Sequence, residues 1–193
     1  NGKGWMFEAE VVIPNHNKCV VNILKSTFET PKPYTIHLAV APTKMNDRYE
    51  WFIEKATEIG VNKITPIICQ NSERKIIKTE RFEKILQSAM KQSLHSYLPT
   101  LAPATRFSEF IKTPQEGTTF IAHCDEGNKL KFKDQIKPGE SITILIGPEG
   151  DFSPQEIGTA LKHGYIAVSL GASRLRTETA GIVAGHTIQL CNE

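Results

Sequence analysis

The chain has 193 residues, of which 39% are hydrophobic and 23% charged, with 13 glycines and 11 prolines. This composition supports a sizeable core and excludes a disordered tail or a fibrous repeat, while the length fits one domain, or one domain plus a fragment. A formal net charge of +2 is too near neutral to announce a nucleic-acid partner by itself, so any such partner must rest on local patches. No run approaches the roughly 18 apolar residues a bilayer span needs, and no membrane association is expected.

Cys19, Cys69, Cys124 and Cys191 lie at least 50 residues apart, with no CxxC and no histidine at zinc-ligand spacing. That pattern argues against a metal site and a disulfide framework and for reduced thiols. The chain starts at Asn1 without a basic-then-apolar leader, which suggests a trimmed chain from a cytoplasmic protein.

Trp5, Phe7, Ala9, Val11 and Ile13 alternate along the first segment, and Cys19 to Leu24 alternates more weakly after the turn Pro14-Asn15-His16-Asn17. The pattern predicts a hairpin. Two strands alone are marginal in water, so residues 1–30 are expected to be part of a small β domain whose first half lies upstream. Phe28 to Pro33, with two prolines and no periodicity, reads as the linker to a second domain over residues 31–193.

From Tyr34 onward strand and helix alternate. Strands are expected at Tyr34 to Ala41, Lys63 to Ile68, Thr118 to Ala122, Ser141 to Ile146 and Tyr165 to Leu170, all rich in Ile, Val and Thr. Asp47 with Glu50 resembles a capping box for a helix that turns Phe52, Ala56 and Ile59 inward and stops at Gly60. Thr79 can cap a second helix, in which Phe82, Ile85, Leu86 and Ala89 share a face. Ser153-Pro154-Gln155-Glu156 combines a capping Ser, Pro at the first helical position and Glu at the third, with Gly164 as the terminator. Strands separated by helices predict an α/β fold with a mostly parallel sheet covered on both faces.

The most informative stretch runs from Ile142 to Ser153, where a buried strand enters the turn Gly147-Pro148-Glu149-Gly150-Asp151 and then a capped helix. Such a turn at the carboxyl end of a sheet is how α/β proteins build a ligand site. GxxxxGK[ST] is absent, and Glu149 and Asp151 would repel the pyrophosphate of a dinucleotide. A second strand ends at Gly171 and leads into Ala172-Ser173-Arg174-Leu175-Arg176-Thr177-Glu178-Thr179-Ala180. Two neighbouring strand ends with glycine turns suggest one pocket, better suited to a neutral or cationic heterocycle than to a phosphate. Arg174 and Arg176 either pair with Glu178 at a helix entrance or contact RNA phosphate or substrate charge. Ala180, Gly181, Ala184 and Gly185 form a small-residue face, for packing on the protein's own sheet or across a symmetric dimer.

The segments IGPEGDFSPQE and SLGASRLRTETAG resemble the RsmE family of ribosomal RNA methyltransferases in the SPOUT superfamily. So do Lys44, the Glu50 to Val61 segment, Ser72-Glu73-Arg74 and Gln92-Ser93, and the similarity covers nearly the whole chain from Tyr34 onward. The resemblance implies S-adenosylmethionine-dependent methylation of uridine N3 in small-subunit ribosomal RNA, a C-terminal trefoil knot that holds the cofactor, a homodimer, and a partial PUA-like RNA-binding barrel in residues 1–30. It assigns cofactor binding to Leu145, Ile146, Gly147, Pro148, Glu149 and Gly150, to Ser169, Leu170 and Gly171, and to Leu175, Arg176, Thr177 and Thr179. Catalysis falls to Arg174 or Arg176. Asp151 stands where the family pattern commonly has a second glycine, and Ser173 and Arg174 stand where it often has Arg and Ile, so the arginine is displaced by one residue. RNA contacts are expected from Arg74, Lys75, Lys78, Arg81, Lys84 and Lys91, or from the lysines at 129 to 137. The competing readings are a non-catalytic RNA-binding module on the same fold and a nucleotide-binding enzyme of doubly wound type.

Overall fold

The computed structural model describes all residues except 78, 125, 126 and 128. Strands β1 (Trp5–Ile13) and β2 (Val20–Phe28) form an antiparallel hairpin. The remaining strands are β3 (Ile36–Val40), β4 (Lys63–Ile68), β5 (Thr100–Leu101), β6 (Thr105–Arg106), β7 (Thr118–Ala122), β8 (Leu130–Lys131), β9 (Ile142–Ile146) and β10 (Ile166–Ser169). They make one parallel sheet in the order β5-β4-β3-β9-β7-β10-β8, with β6 also paired to β4. The helices are α1 (Asn46–Ile59), α2 (Thr79–Gln92), α3 (Phe107–Phe110), α4 (Pro154–Lys162) and α5 (Thr177–Leu190), and a 3-10 turn spans Phe132–Gln135.

Strand side chains alternate between two cores. Ile36, Leu38, Val40, Ile142, Ile144, Ile146, Phe120 and Val168 meet α1, α2 and α5 on one face. Ala39, Leu145 and Ile121 meet α3 and α4 on the other. Both faces are covered, so these strands are apolar throughout rather than alternating. His37 lies among the polar groups of the second face. Its ring nitrogens lie 2.8 Å from Thr65 Oγ1 and 3.3 Å from Thr143 Oγ1, and burial, with Lys63 nearby, pushes its pKa down to about 3.

Three expectations about these elements need correction. The capping box at Asp47 and Glu50 does not form: α1 begins two residues earlier than that cap would set it, behind Met45, which supplies no side-chain cap. Glu50 instead turns inward, bonded by Asn46 and by the Arg81 guanidinium of α2 at 2.7 Å. Thr79 is the first residue of α2 rather than its cap. Phe28 belongs to β2, where its ring packs on Trp5 at 5.1 Å, so the connection starts one residue later. Of the two readings of the small-residue face of α5, packing within the chain is the one observed. A Cβ on Gly181 would lie 2.6 Å from Phe52, and one on Gly185 would lie 3.3 Å from Leu38 and Val61.

The hairpin buries neither face. Trp5, Phe7, Val11, Ile13, Val21 and Ile23 are all exposed, and its alternation breaks at a register shift between Glu8 and Ala9. Backbone bonds from Gly4 to Ser96 and from Leu98 to Gly2 anchor it, as does the Tyr97 hydroxyl, which donates to the Glu29 carbonyl at 2.6 Å.

Candidate active site

The exit from β9 is a tightly tied loop. Ser153 Oγ accepts from the Glu156 amide, and the Glu156 carboxylate accepts from the Ser153 amide, so the predicted capping box is present. The same carboxylate accepts from the Gln70 amide at 2.8 Å, fixing the exit of β4. Gly147 is tightly packed, since a Cβ there would stand 3.1 Å from the Phe152 nitrogen and ring. Glu149 accepts from the Lys44 amide at 2.9 Å. The Glu73 carboxylate, bonded to the Lys44 ammonium at 2.8 Å, holds that ammonium above its ordinary pKa.

The exit from β10 is more open. Gly171 has φ +147° and empty space where a side chain would go. Ala172, Ser173, Arg174 and Arg176 are exposed. The chain then dives inward, where the buried Thr177 donates its hydroxyl to the Gly147 carbonyl at 3.0 Å and joins the start of α5 to the β9 loop. Glu178 is buried too, with Oε1 4.0 Å from Arg48 Nε of α1. Glu178 therefore faces α1 and does not pair with Arg174 or Arg176. Among the described residues neither arginine has an ion-pair partner.

Two cavities open here. One, of about 450 Å³, is lined by Ile146 to Asp151, by Arg174 to Thr177, and by Ala122, Cys124 and Ala180. The other, of about 270 Å³, is lined by Val168 to Leu175 with Ala122, His123, Cys124, Lys129 and Ala180. Ala122, Cys124, Arg174, Leu175 and Ala180 belong to both, so the two are lobes of one site. The chain leaves β9 for α4 on one face of the sheet and β10 for α5 on the other, and such divergence opens a crevice at the carboxyl edge.

The strand ends at Gly147 and Gly171 are not adjacent, contrary to expectation: β7 lies between β9 and β10. Its end, Ala122 to Cys124, forms the wall shared by the lobes and went unassigned in the sequence. A His-Cys pair directly after a buried strand was the available signal, but strand order is not written in local periodicity. Ile146, Gly147, Pro148, Glu149, Gly150, Ser169, Leu170, Gly171, Arg174, Leu175, Arg176 and Thr177 line the lobes. Leu145 and Thr179 line neither lobe; Leu145 points into the opposite core, as strand alternation dictates. No cluster of three or more His, Cys, Asp or Glu placed to hold a metal occurs among the described residues.

Residues 30–189 match the family model of the RNA methyltransferase domain. The chain is 30% identical over 178 residues to ribosomal RNA small subunit methyltransferase E of Mesomycoplasma hyopneumoniae, covering 89% of this chain and 76% of that one. It superimposes with a TM-score of 0.90 and 42% identity on the crystal structure of a probable rRNA-methyltransferase from Porphyromonas gingivalis, covering 98% of this chain and 83% of that one. Ribosomal RNA small subunit methyltransferase E from Neisseria gonorrhoeae, bound to S-adenosyl methionine, gives 0.85 and 30%, with coverages of 99% and 81%.

Proposed function

The chain belongs to the RNA methyltransferase family, and on that premise we propose that it methylates N3 of a uridine in small-subunit ribosomal RNA. Its cofactor is S-adenosylmethionine, with which the Neisseria gonorrhoeae relative was crystallised. The observation that carries the reading is the two-lobed cavity with Arg174, which has no ion-pair partner among the described residues, on its shared wall. The lining fits the cofactor. Backbone turns floor the larger lobe and Glu149 edges it, an arrangement that accepts a cation and repels a phosphate.

When bound, the cofactor supplies a methyl group carried on a sulfonium cation. The cavity walls align it with the acceptor, and alignment is itself a large part of catalysis. As the uracil N3 gives up its proton to bulk water, negative charge spreads to the ring oxygens, and the Arg174 guanidinium stabilises it. Arg176 holds an adjacent RNA phosphate. Leu145 and Thr179 support the site from outside its lining, and the other assigned residues hold the cofactor. The C-terminal segment is read as a trefoil knot of the SPOUT type, in which the buried Thr177 to Gly147 bond holds the last helix's start against the β9 loop.

Residues 1–30 are read as part of a PUA-like RNA-binding domain and residues 31–193 as the methyltransferase domain. Exposed Lys131, Lys133 and Lys137 lead away from the smaller lobe and suit phosphate contact. In the earlier basic run Arg81 is engaged by Glu50, and Lys78 lies outside the described residues. A homodimer in the cytoplasm completes the proposal. The small-residue face no longer supports it, but the outer side of α5 carries partly exposed Val183 and exposed Leu190.

Calorimetry with S-adenosylmethionine and with ATP tests the cofactor assignment, and ATP binding alone would sink it. Incubation with labelled cofactor and small-subunit ribosomal RNA, followed by mass mapping of the methylated nucleoside, tests the acceptor. Sedimentation as a monomer at micromolar concentration would remove the dimer.

A further inference from the structure

Asp151 adopts φ +60°, in the left-handed region; among the described residues the only other non-glycine with positive φ is Leu94. That conformation costs an L side chain energy that glycine does not incur, and Asp tolerates it better than most when its carboxylate finds local partners. Here the partners are unusual in one respect. Oδ1 accepts from the Phe152 amide at 2.8 Å, the local bond expected of such a turn. Oδ2 reaches across to the Cys124 amide at 2.6 Å, on the exit of β7. From the opposite side Asn71 Nδ2 donates to the carbonyls of Gly150 and Asp151, both at 3.1 Å. Asp151 thus sits where the exits of β4, β7 and β9 converge.

The Cys124 contact falls on the wall common to both lobes. Ala122 closes β7, and the described chain beyond Cys124 resumes with Gly127 and then Lys129. A charge-assisted bond to the Cys124 amide sets how far this wall stands from the Gly147 to Gly150 turn, and charged acceptors make the stronger bonds. Glycine at this position would take the same backbone conformation without strain and would leave the wall untied.

We propose that Asp151 is a positioning residue for the cofactor: its carboxylate clamps the end of β7 to the β9 loop and so sets the width of the larger lobe. It acts through the Cys124 backbone rather than as a catalytic group. The inference rests on the cofactor assignment above.

The test compares the unaltered chain with Asp151→Gly and Asp151→Asn. Glycine removes both carboxylate bonds without backbone strain, and asparagine keeps one acceptor oxygen in a residue that also tolerates this conformation. Calorimetry with S-adenosylmethionine should show affinity reduced about tenfold in Asp151→Gly and by a smaller factor in Asp151→Asn. Single-turnover methyl transfer at saturating cofactor should stay within about threefold of the unaltered chain, because Asp151 is not asked to touch the acceptor. Hydrogen exchange at the Cys124 amide should quicken in Asp151→Gly, a readout that general loosening of α4 would not single out. Cofactor affinity unchanged in Asp151→Gly overturns the proposal, with or without faster exchange. A transfer rate that collapses at saturating cofactor also overturns it, because the residue would then be acting on chemistry. Absence of cofactor binding in the unaltered chain removes the functional reading itself, an outcome visible before any variant is compared.

Discussion

The exits of β9 and β10 share a sequence signature, an apolar strand running into glycine, yet they are built in opposite ways. The β9 exit is held by Thr177, the Lys44 amide, Asn71 and its own capping box. At the β10 exit the Ser169 hydroxyl bonds locally to the Gly171 backbone, and among the described residues Arg174 and Arg176 have no ion-pair partner. The first loop is a preorganised wall, which lowers the ordering cost of binding a small ligand. The second presents cations whose conformations are set by what binds them. Glycine also means different things in the two loops: Gly147 is small because Phe152 occupies the space, whereas Gly171 is glycine because of its backbone angle.

The largest expected effect comes from removing what both loops rest on. Gly181→Leu drives a side chain into the Phe52 ring and should cost about 3 kcal/mol or more, read as a lowered urea midpoint or loss of cooperative unfolding. Adding Phe52→Ala should restore part of the loss, because it empties the contested space. A fully stable Gly181→Leu chain would show that α5 is not held against α1 as described.

Next in size, Arg174→Ala should slow single-turnover methyl transfer roughly 10²-fold with cofactor affinity nearly unchanged, the scale of losing one charge-stabilising donor. Arg176→Ala should weaken RNA and cofactor binding together. Full activity in Arg174→Ala would move the catalytic assignment to Arg176 and make the two arginines' roles in the open loop the reverse of those proposed.

The two glycines themselves give a sharper contrast at smaller cost. Gly147→Ala and Gly171→Ala should each destabilise by about 1–3 kcal/mol, the first through overpacking and the second through backbone strain. Phe152→Leu distinguishes them. In a double-mutant cycle it should couple to Gly147→Ala and be additive with Gly171→Ala. Equal coupling at both positions would erase the distinction between the loops.

The smallest effect per step is a background common to both loops. The folded pKa of His37, about 3, lies below its ordinary 6.5, so between those values the unfolded chain binds a proton that the folded chain does not. Stability from this group is complete above about pH 6.5 and falls as the pH drops toward 3, by at most about 1.4 kcal/mol per unit. His37→Gln should flatten that slope in chemical unfolding at pH 5 to 7. An unchanged slope would mean that His37 takes up its proton without cost.

Much of the architecture is local in origin and was legible. Five strands and the helices around Phe52 and Phe82 follow from apolar periodicity. The start of α4 follows from Ser153 and Glu156, and the end of α1 from Gly60. Caps and periodicity need only a few neighbouring residues, which is why they survive without an alignment. Where a nearby charge competed, local reasoning failed: Glu50 was drawn from its expected cap to Arg81 of α2.

By itself the sequence determined that this is an α/β chain with a cofactor-type turn at Gly147 to Asp151 and an arginine-bearing segment before α5, because each of those signals is contained within a dozen consecutive residues. Only the tertiary structure decided that β7 separates the two glycine turns, that Glu178 serves Arg48, that Phe52 claims the space at Gly181, and that Asp151 reaches Cys124. Each of these is a contact between residues more than twenty positions apart, or a strand order built from such contacts. The physical reason is that close packing selects partners by shape and charge in three dimensions, and no period along the chain encodes which surfaces will meet.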